Sequence, residues 1–272
     1  MRKTKNCYEI CINKSFLLSK KLWKTSKEII SNLSLNSKIG RPSLNTERIL
    51  NGIFYVLKTG IQWKALPQCF GSKSAVHRFF QKLVNAEFFK KLWTKELEEY
   101  NKKYPLQLEK QAMDCSHKKS PLGGDKSGES PVDRRKLGSK LSVLSDAKGI
   151  PIGLAVGSSN QHDSTLFIDT LRSVPQSINL PKYKEMHLDS AYDSEIIKTV
   201  LFNFYYIPKI APNQRNSKEK KRNPIGYSRW FIEPVHSWMN RFRGIFVRYS
   251  RLAFNYLALA QFASACIIFN KT

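Results

Sequence analysis

The sequence is short of acid, short of cysteine, and without a clean hydrophobic run. Its 272 residues hold 21 Asp and Glu against 46 Lys and Arg, a net charge of +25. Solubility needs far less. The shortfall excludes a charge-balanced surface and leaves two readings, a generally basic exterior or one built for a polyanion; the size of the excess favours the second. The five cysteines, Cys7, Cys11, Cys69, Cys115 and Cys266, are odd in number and scattered, with no CxxC pair. That excludes a paired-cysteine zinc site and a disulfide framework, and suits a reducing, cytoplasmic setting. No internal repeat is visible, and the one low-complexity tract is the charged run SKEKKR at 217–222. The start, MRKTKNCYEICINKSFLL, mixes charges into its apolar residues and lacks the continuous core of a signal peptide. Near the end, LAFNYLALAQFASACIIF is long enough to suggest a membrane span, but Asn255, Gln261 and Ser264 interrupt it, so a buried core helix is expected.

What is present is a globular composition, 41% hydrophobic and 12% aromatic, in a chain long enough for one sizeable core and a smaller domain. Charge divides it. Residues 1–104 hold 21 basic and 7 acidic side chains, 105–208 hold 13 and 12, and 209–251 hold 11 and 2. A nearly neutral centre between two basic flanks fits phosphate contacts made around a site that must itself keep carboxylates.

The first third reads as helical. TERILNGIFYVLKTG places Ile49, Ile53, Val56 and Leu57 at helical spacing, with Thr46 as its cap and Gly60 as its stop. A connector with Pro67 and Gly71 follows, then a second helical stretch from Ser72 or Ser74 that carries Lys73, His77, Arg78 and Lys82. This is the pattern of a helix-turn-helix unit, and equally that of an amphipathic helix with a solvated basic face. From about residue 105 strands take over: LEKQAMDCS, KLGSKLSVLSD, PIGLAVGSS, KEMHLDSA and the short YYIPKIA, with a Lys148–Gly149 hairpin between the second and third. Helices are expected in STLFIDTLRSV and DSEIIKTVLFNF, and again from SRWFIEPVHSWMNRFRG onward. Three strands, then helix, strand, helix, strand, helix is an α/β order, and also that of an RNase H-like fold. The expected division is 1–104, a helical DNA-binding domain, and 105–272, an RNase H-like mixed sheet with flanking helices.

Asp114 is expected at the end of the first strand and Asp189 at the end of the fourth, where ligands gather in open α/β sheets. If those strands are neighbours, the two carboxylates meet and can hold divalent cations, with Glu233 as a third. Each aspartate could equally be a turn former.

Several motifs in order resemble one family, the bacterial insertion-sequence DDE transposases of the IS-five type (IS4/IS5-like superfamily). They are GRP, NGIFYVLKTG and QW-x-x-LP-x-x-FG in the first third; then KKSPLGGDKSGESPVDRRKLGSKLSVLSDAKGIPIG with N-x-HD at 160–163; then LDSAYD; then R-x-x-x-E with a downstream W-x-N-R-x-R. The resemblance runs from Ile39 to Tyr249. It implies an RNase H-like core in which Asp114, Asp189 and Glu233 bind Mg²⁺ or Mn²⁺, two ions, for phosphoryl transfer. It implies terminal inverted repeats and target DNA as partners, and a homodimer on DNA. Arg229, Arg241, Arg243, Lys73, Arg78, Arg134 and Lys136 are the expected DNA contacts, with Arg135 and Lys140 beside them as backbone contacts or a solvated strand edge. For Arg229 a phosphate contact and an (i, i+4) pair with Glu233 stand level. Asp163 and Asp193 are expected to cap the helices that follow them. His117 and His162 lie near the acids, but a metal-dependent site requires no base; His236 and Trp238 are core or rim residues. Pro234, immediately after Glu233, departs from the family and should start a helix or kink one. A nuclease that cuts without joining and a decayed DNA-binding remnant are the alternatives.

Overall fold

The computed structural model describes residues 12–33, 45–213, 223 and 225–272. Cys7, Cys11, the GRP element at 40–42 and the 217–222 run lie outside the described residues.

The helical segment contains α1 (Lys20–Ser31), α2 (Thr46–Thr59), α3 (Lys73–Asn85) and α4 (Phe88–Lys103). In α2 the buried Ile49, Leu50, Ile53, Val56 and Leu57 form one apolar stripe. Its cap is Asn45, whose side chain accepts from the Arg48 N–H at 3.2 Å, while Thr46 is already helical. Gly60, at φ 69°, closes the helix in the left-handed conformation that a side chain resists. Ser72 caps α3. The single helix expected after it is two helices, because Glu87 adopts φ 54° and turns the chain into α4. Two 3₁₀ turns, Trp63–Ala65 and Gln68–Phe70, fill the connector between α2 and α3. It is therefore longer than the roughly three- to four-residue turn of a helix-turn-helix motif.

The sheet has six strands: β1 (Lys110–Lys119), β2 (Gly128–Glu129), β3 (Leu137–Asp146), β4 (Pro151–Ser158), β5 (Lys184–Leu188) and β6 (Tyr206–Ile210). β3 pairs antiparallel with β1 on one side and with β4 and the short β2 on the other. β1 pairs parallel with β5, and β5 with β6. In the β3–β4 hairpin the Asp146 carboxylate accepts from the Lys148 and Ile150 N–H groups at 3.0 and 2.8 Å, and Gly149 sits at φ 73°. With α5 (Phe167–Arg172), α6 (Glu195–Asn203), α7 (Glu233–Asn240), α8 (Arg243–Phe246) and α9 (Ala253–Phe269), this is a mixed α/β fold, a six-stranded sheet with flanking helices, preceded by a helical region.

The apolar C-terminal helix α9 packs on α4 and on β4. A helix apolar all round belongs in a core. Phe262 meets Phe89 at 5.3 Å and Phe54 at 5.9 Å between ring centroids, and the buried Trp93 of α4 donates its indole N–H to the Pro151 carbonyl at 3.0 Å. One hydrophobic core thus runs from the helical segment into the sheet. Among the described residues no helix is long and apolar enough to cross a membrane.

Candidate active site

β1 and β5 bring two carboxylates together through a difference in length. Their parallel pairing ends at Ala112 and His187, β5 itself ends at Leu188, and β1 runs on against β3 alone. Asp114 is consequently mid-strand rather than at a strand end, paired with Val143 on one side and free of β5 on the other. Asp189 is the residue after β5. It caps the 3₁₀ turn Ser190–Tyr192, with Oδ1 accepting from the Ala191 N–H at 3.0 Å. Turn former and site carboxylate are the same residue.

Between them stands Arg229. Its Nη1 lies 3.2 Å from Asp189 Oδ2 and 3.8 Å from Asp114 Oδ1. Neither sequence reading of Arg229 describes this: the guanidinium pairs with the two aspartates across the fold. Helix α7 closes the other side. His236 Nε2 is 3.5 Å from Asp114 Oδ2, and one turn further Asn240 Oδ1 accepts from the buried Lys118 ammonium at 2.5 Å. Asp114 and Lys118 share a face of β1, and His236 and Asn240 share a face of α7.

The two carboxylates differ. Burial pushes Asp114 up, but the His236 ring and then Arg229 outweigh it and hold the carboxyl below its ordinary value. Burial also raises Asp189, and there Arg229 does not reverse it, while the nearby Asp114 charge adds to the rise. Cys115, next to Asp114 in sequence, has its Sγ 3.4 Å from the Tyr192 hydroxyl, and burial pushes its thiol up to about 12. Such a thiol is inert near neutral pH.

Glu233 is the first residue of α7 and is exposed. Pro234 takes the second helical position, where a missing N–H is harmless, so α7 starts one residue earlier than Pro234 and is not kinked by it. The Glu233 carboxylate sits at the positive end of the helix dipole, one turn before His236. Among the described residues no three His, Cys, Asp or Glu side chains are grouped so as to hold a metal. The fold joins Asp114 to Asp189 and does not bring Glu233 to them. The pair still fits a divalent ion in chemistry: both supply hard oxygens to one position that accommodates a cationic group, and Mg²⁺ takes one or two carboxylates with water and substrate oxygens.

Of the other candidates, Asp163 does not cap. His162 Nδ1 accepts from the Ser164 N–H at 3.4 Å instead, and Asp163 Oδ1 lies 2.6 Å from Lys140 Nζ. Lys140 is buried on β3 and faces this acid rather than a DNA backbone. Ser194 caps α6, and Asp193 pairs with Lys198 at 3.1 Å. His117 bonds the Ser159 hydroxyl at 2.8 Å, and Trp238 lies beneath the Lys271 ammonium, 3.8 Å from the ring centre. Lys73 and Arg78 are exposed on α3, whose opposite face buries Val76, Phe80 and Leu83. Arg134 and Lys136 are exposed in the turn before β3, where Arg135 pairs with Glu129 at 3.2 Å; Arg241 and Arg243 are exposed where α7 meets α8. Sequence reasoning did not give His236 or Lys118 a place in the site. The three-residue step from Glu233 to His236 along one helix face was the available signal for the first.

Residues 105–267 match the family described as "Transposase DDE domain", and residues 18–93 match one described as "Putative transposase of IS4/5 family". The "Putative transposase for insertion sequence element IS402" of Burkholderia cepacia is 27% identical over 153 residues, 54% of this chain and 71% of that protein. Among solved structures, a piggyBac transposase synaptic complex with hairpin DNA is matched over 98% of this chain and 75% of that one, at 11% identity and a TM-score of 0.40. The catalytic domain of Mos1 mariner transposase is matched over 65% and 87%, at 11% identity and a TM-score of 0.28. With one family matching 105–267 of the 272 residues, the chain belongs to the DDE transposases, of the IS4/IS5-like group.

Proposed function

We propose that this transposase binds the terminal inverted repeats of its own element, hydrolyses phosphodiester bonds at the ends, and joins the freed 3′-hydroxyls to target DNA. The observation that supports this most is the convergence of Asp114 and Asp189, from the neighbouring parallel strands β1 and β5, on one cation position. Both reactions are in-line displacements at phosphorus, water attacking in the first and a 3′-hydroxyl in the second, so one site serves both. Divalent metal dependence comes with the family; the finer reading is two Mg²⁺ or Mn²⁺ ions held by Asp114, Asp189 and Glu233. When bound, such ions lower the pKa of the attacking hydroxyl and offset charge on the leaving oxygen. Arg229 can leave the carboxylates for a DNA phosphate when another cation takes its place, while His236 orients Asp114. Lys73, Arg78, Arg134, Lys136, Arg241 and Arg243 hold the backbone. Two ends must be processed together, which calls for a homodimer on DNA. The N-terminal helices then serve end recognition and residues 105–272 the chemistry.

The position of Glu233, exposed and apart from the pair, favours a second reading in which this copy binds DNA but has lost catalysis. Cleavage and strand-transfer assays on element-end DNA with Mg²⁺ or Mn²⁺ separate the two. Under the leading reading Asp114→Asn, Asp189→Asn and Glu233→Gln each abolish both reactions, and Pro234→Ala leaves them intact or raises them. Binding by the parent without cleavage would establish the second reading, and a Glu233→Gln variant as active as the parent would remove the glutamate from the site.

A further inference from the structure

Three side chains on one face of the sheet hold the segment that leads to Arg229. His187, on β5 two residues before Asp189, is fully buried. Its Nδ1 accepts from the Ser228 N–H at 3.2 Å, so the ring proton stands on Nε2, which donates to Glu185 Oε2 at 3.2 Å. Phe231 packs against the ring edge to face at 5.8 Å. Lys209, the register partner of His187 on β6, donates to the Ile225 carbonyl at 2.7 Å and lies 3.8 Å from Glu185 Oε1. The chain is thus tied to the sheet at Ile225, turns at Gly226 with φ 76°, and is tied again at Ser228.

The second tie falls on the residue immediately before Arg229. On the other side, the Arg229 carbonyl accepts from the Ile232 N–H at 3.1 Å, in the turn that leads into α7. The side chain is held less firmly. Its Nη1 is buried, 3.2 Å from Asp189 and 3.8 Å from Asp114, yet among the described residues it forms no hydrogen bond of good geometry. Charge draws the guanidinium to the pair, but charge is far more tolerant of direction than a hydrogen bond is. Its placement therefore comes from the backbone, and a ring on β5 fixes that backbone.

We infer that His187 is a positioning residue which, through Ser228, keeps the Arg229 guanidinium on the cation position between Asp114 and Asp189, an inference that rests on the transposase reading of that site. A divalent ion that needs those oxygens must first displace the guanidinium, so the tie makes the position harder to load. Glu185 contributes by holding the ring in the tautomer that leaves Nδ1 bare. Loading then follows DNA, whose phosphates offer the guanidinium another partner.

The test is the Mn²⁺ affinity of the full chain without DNA, read from the electron paramagnetic resonance of the free ion, in the parent, His187→Phe, His187→Asn and Arg229→Met. Phenylalanine keeps a ring and loses the acceptor, whereas asparagine keeps an acceptor near the place of Nδ1. The expected result is about fivefold tighter binding in His187→Phe, the worth of one hydrogen bond, and parent-like binding in His187→Asn. Added to Arg229→Met, His187→Phe should change nothing further, a coupling that general loosening of the fold would not reproduce. Deuterium exchange at the Ser228 amide should quicken in His187→Phe and not in His187→Asn, and melting curves verify the fold. Glu185→Ala, at a partly exposed position, should shift the affinity the same way even where His187→Phe does not fold. Equal or weaker Mn²⁺ binding by His187→Phe, with Arg229→Met tighter than the parent, would overturn this inference alone. Arg229→Met binding no tighter than the parent would overturn it too, and binding by neither would take the metal-dependent reading of the site with it.

Discussion

At the scale of single residues, Arg229 governs the carboxylate pair. It keeps two half-buried acids close in the absence of another cation, and removing it leaves them to repel. Arg229→Met should cost roughly 1–3 kcal/mol near neutral pH, less than for a fully buried pair because the partners retain 19–33% of their side-chain surface. Mn²⁺ should restore more stability to the variant than it adds to the parent in thermal melting; equal shifts would show that Arg229 and the ion do not share a position. Lys118 gives a pH signature of known sign. Burial lowers its ammonium from 10.5 to about 8, so between those values the folded chain sheds a proton that the unfolded chain keeps. Stability from this residue therefore rises with pH across that window, by about 3 kcal/mol in all. Lys118→Met should lack this slope in denaturant titrations at pH 7.5 and 10, and parallel behaviour of variant and parent would contradict the assigned burial.

At the scale of elements, Arg248 joins parts of the chain that no strand connects. Its fully buried guanidinium donates to the carbonyls of Asp125, Lys126, Ser250 and Arg251 and to the Ser139 hydroxyl, at 2.6–3.2 Å. Among the described residues no carboxylate takes part, so the cation is solvated by peptide groups as it would be by water. Arg248→Met should destabilise by roughly 3–5 kcal/mol in urea titrations, because four carbonyls lose a charged donor at once; a loss below about 1 kcal/mol would mean that water replaces the side chain. The elements themselves were largely legible. Apolar runs punctuated by Lys148–Gly149 or Gly60 reveal strands and helices because those signals are local. The position of Asp114 within β1 was not, since a polar MDCSHKK segment reads as a strand end unless one knows that β3 continues beside it. The partners of Arg229 were hidden for the same reason: both aspartates are distant in sequence, and only the β1–β5 register makes them neighbours.

At the scale of the whole molecule, the +25 charge should dominate DNA affinity. Binding should weaken steeply with salt, and Lys73→Ala or Arg78→Ala should each lower the slope of log affinity against log salt by about 1. Anisotropy titrations at several salt concentrations measure this, and an unchanged slope would take α3 off the DNA. The same scale shows what the sequence concealed about α9. Its apolar character announces a core helix, but nothing local says that Phe262 will complete a wall begun by Phe54 and Phe89 some two hundred residues earlier. That closure imposes an order of events on synthesis. While the ribosome is still making the sheet, Phe54 and Phe89 lack their Phe262 neighbour, which arrives only when Ala253–Phe269 emerges. A copy of the gene interrupted before that point would yield early helices that lack the Phe262 wall.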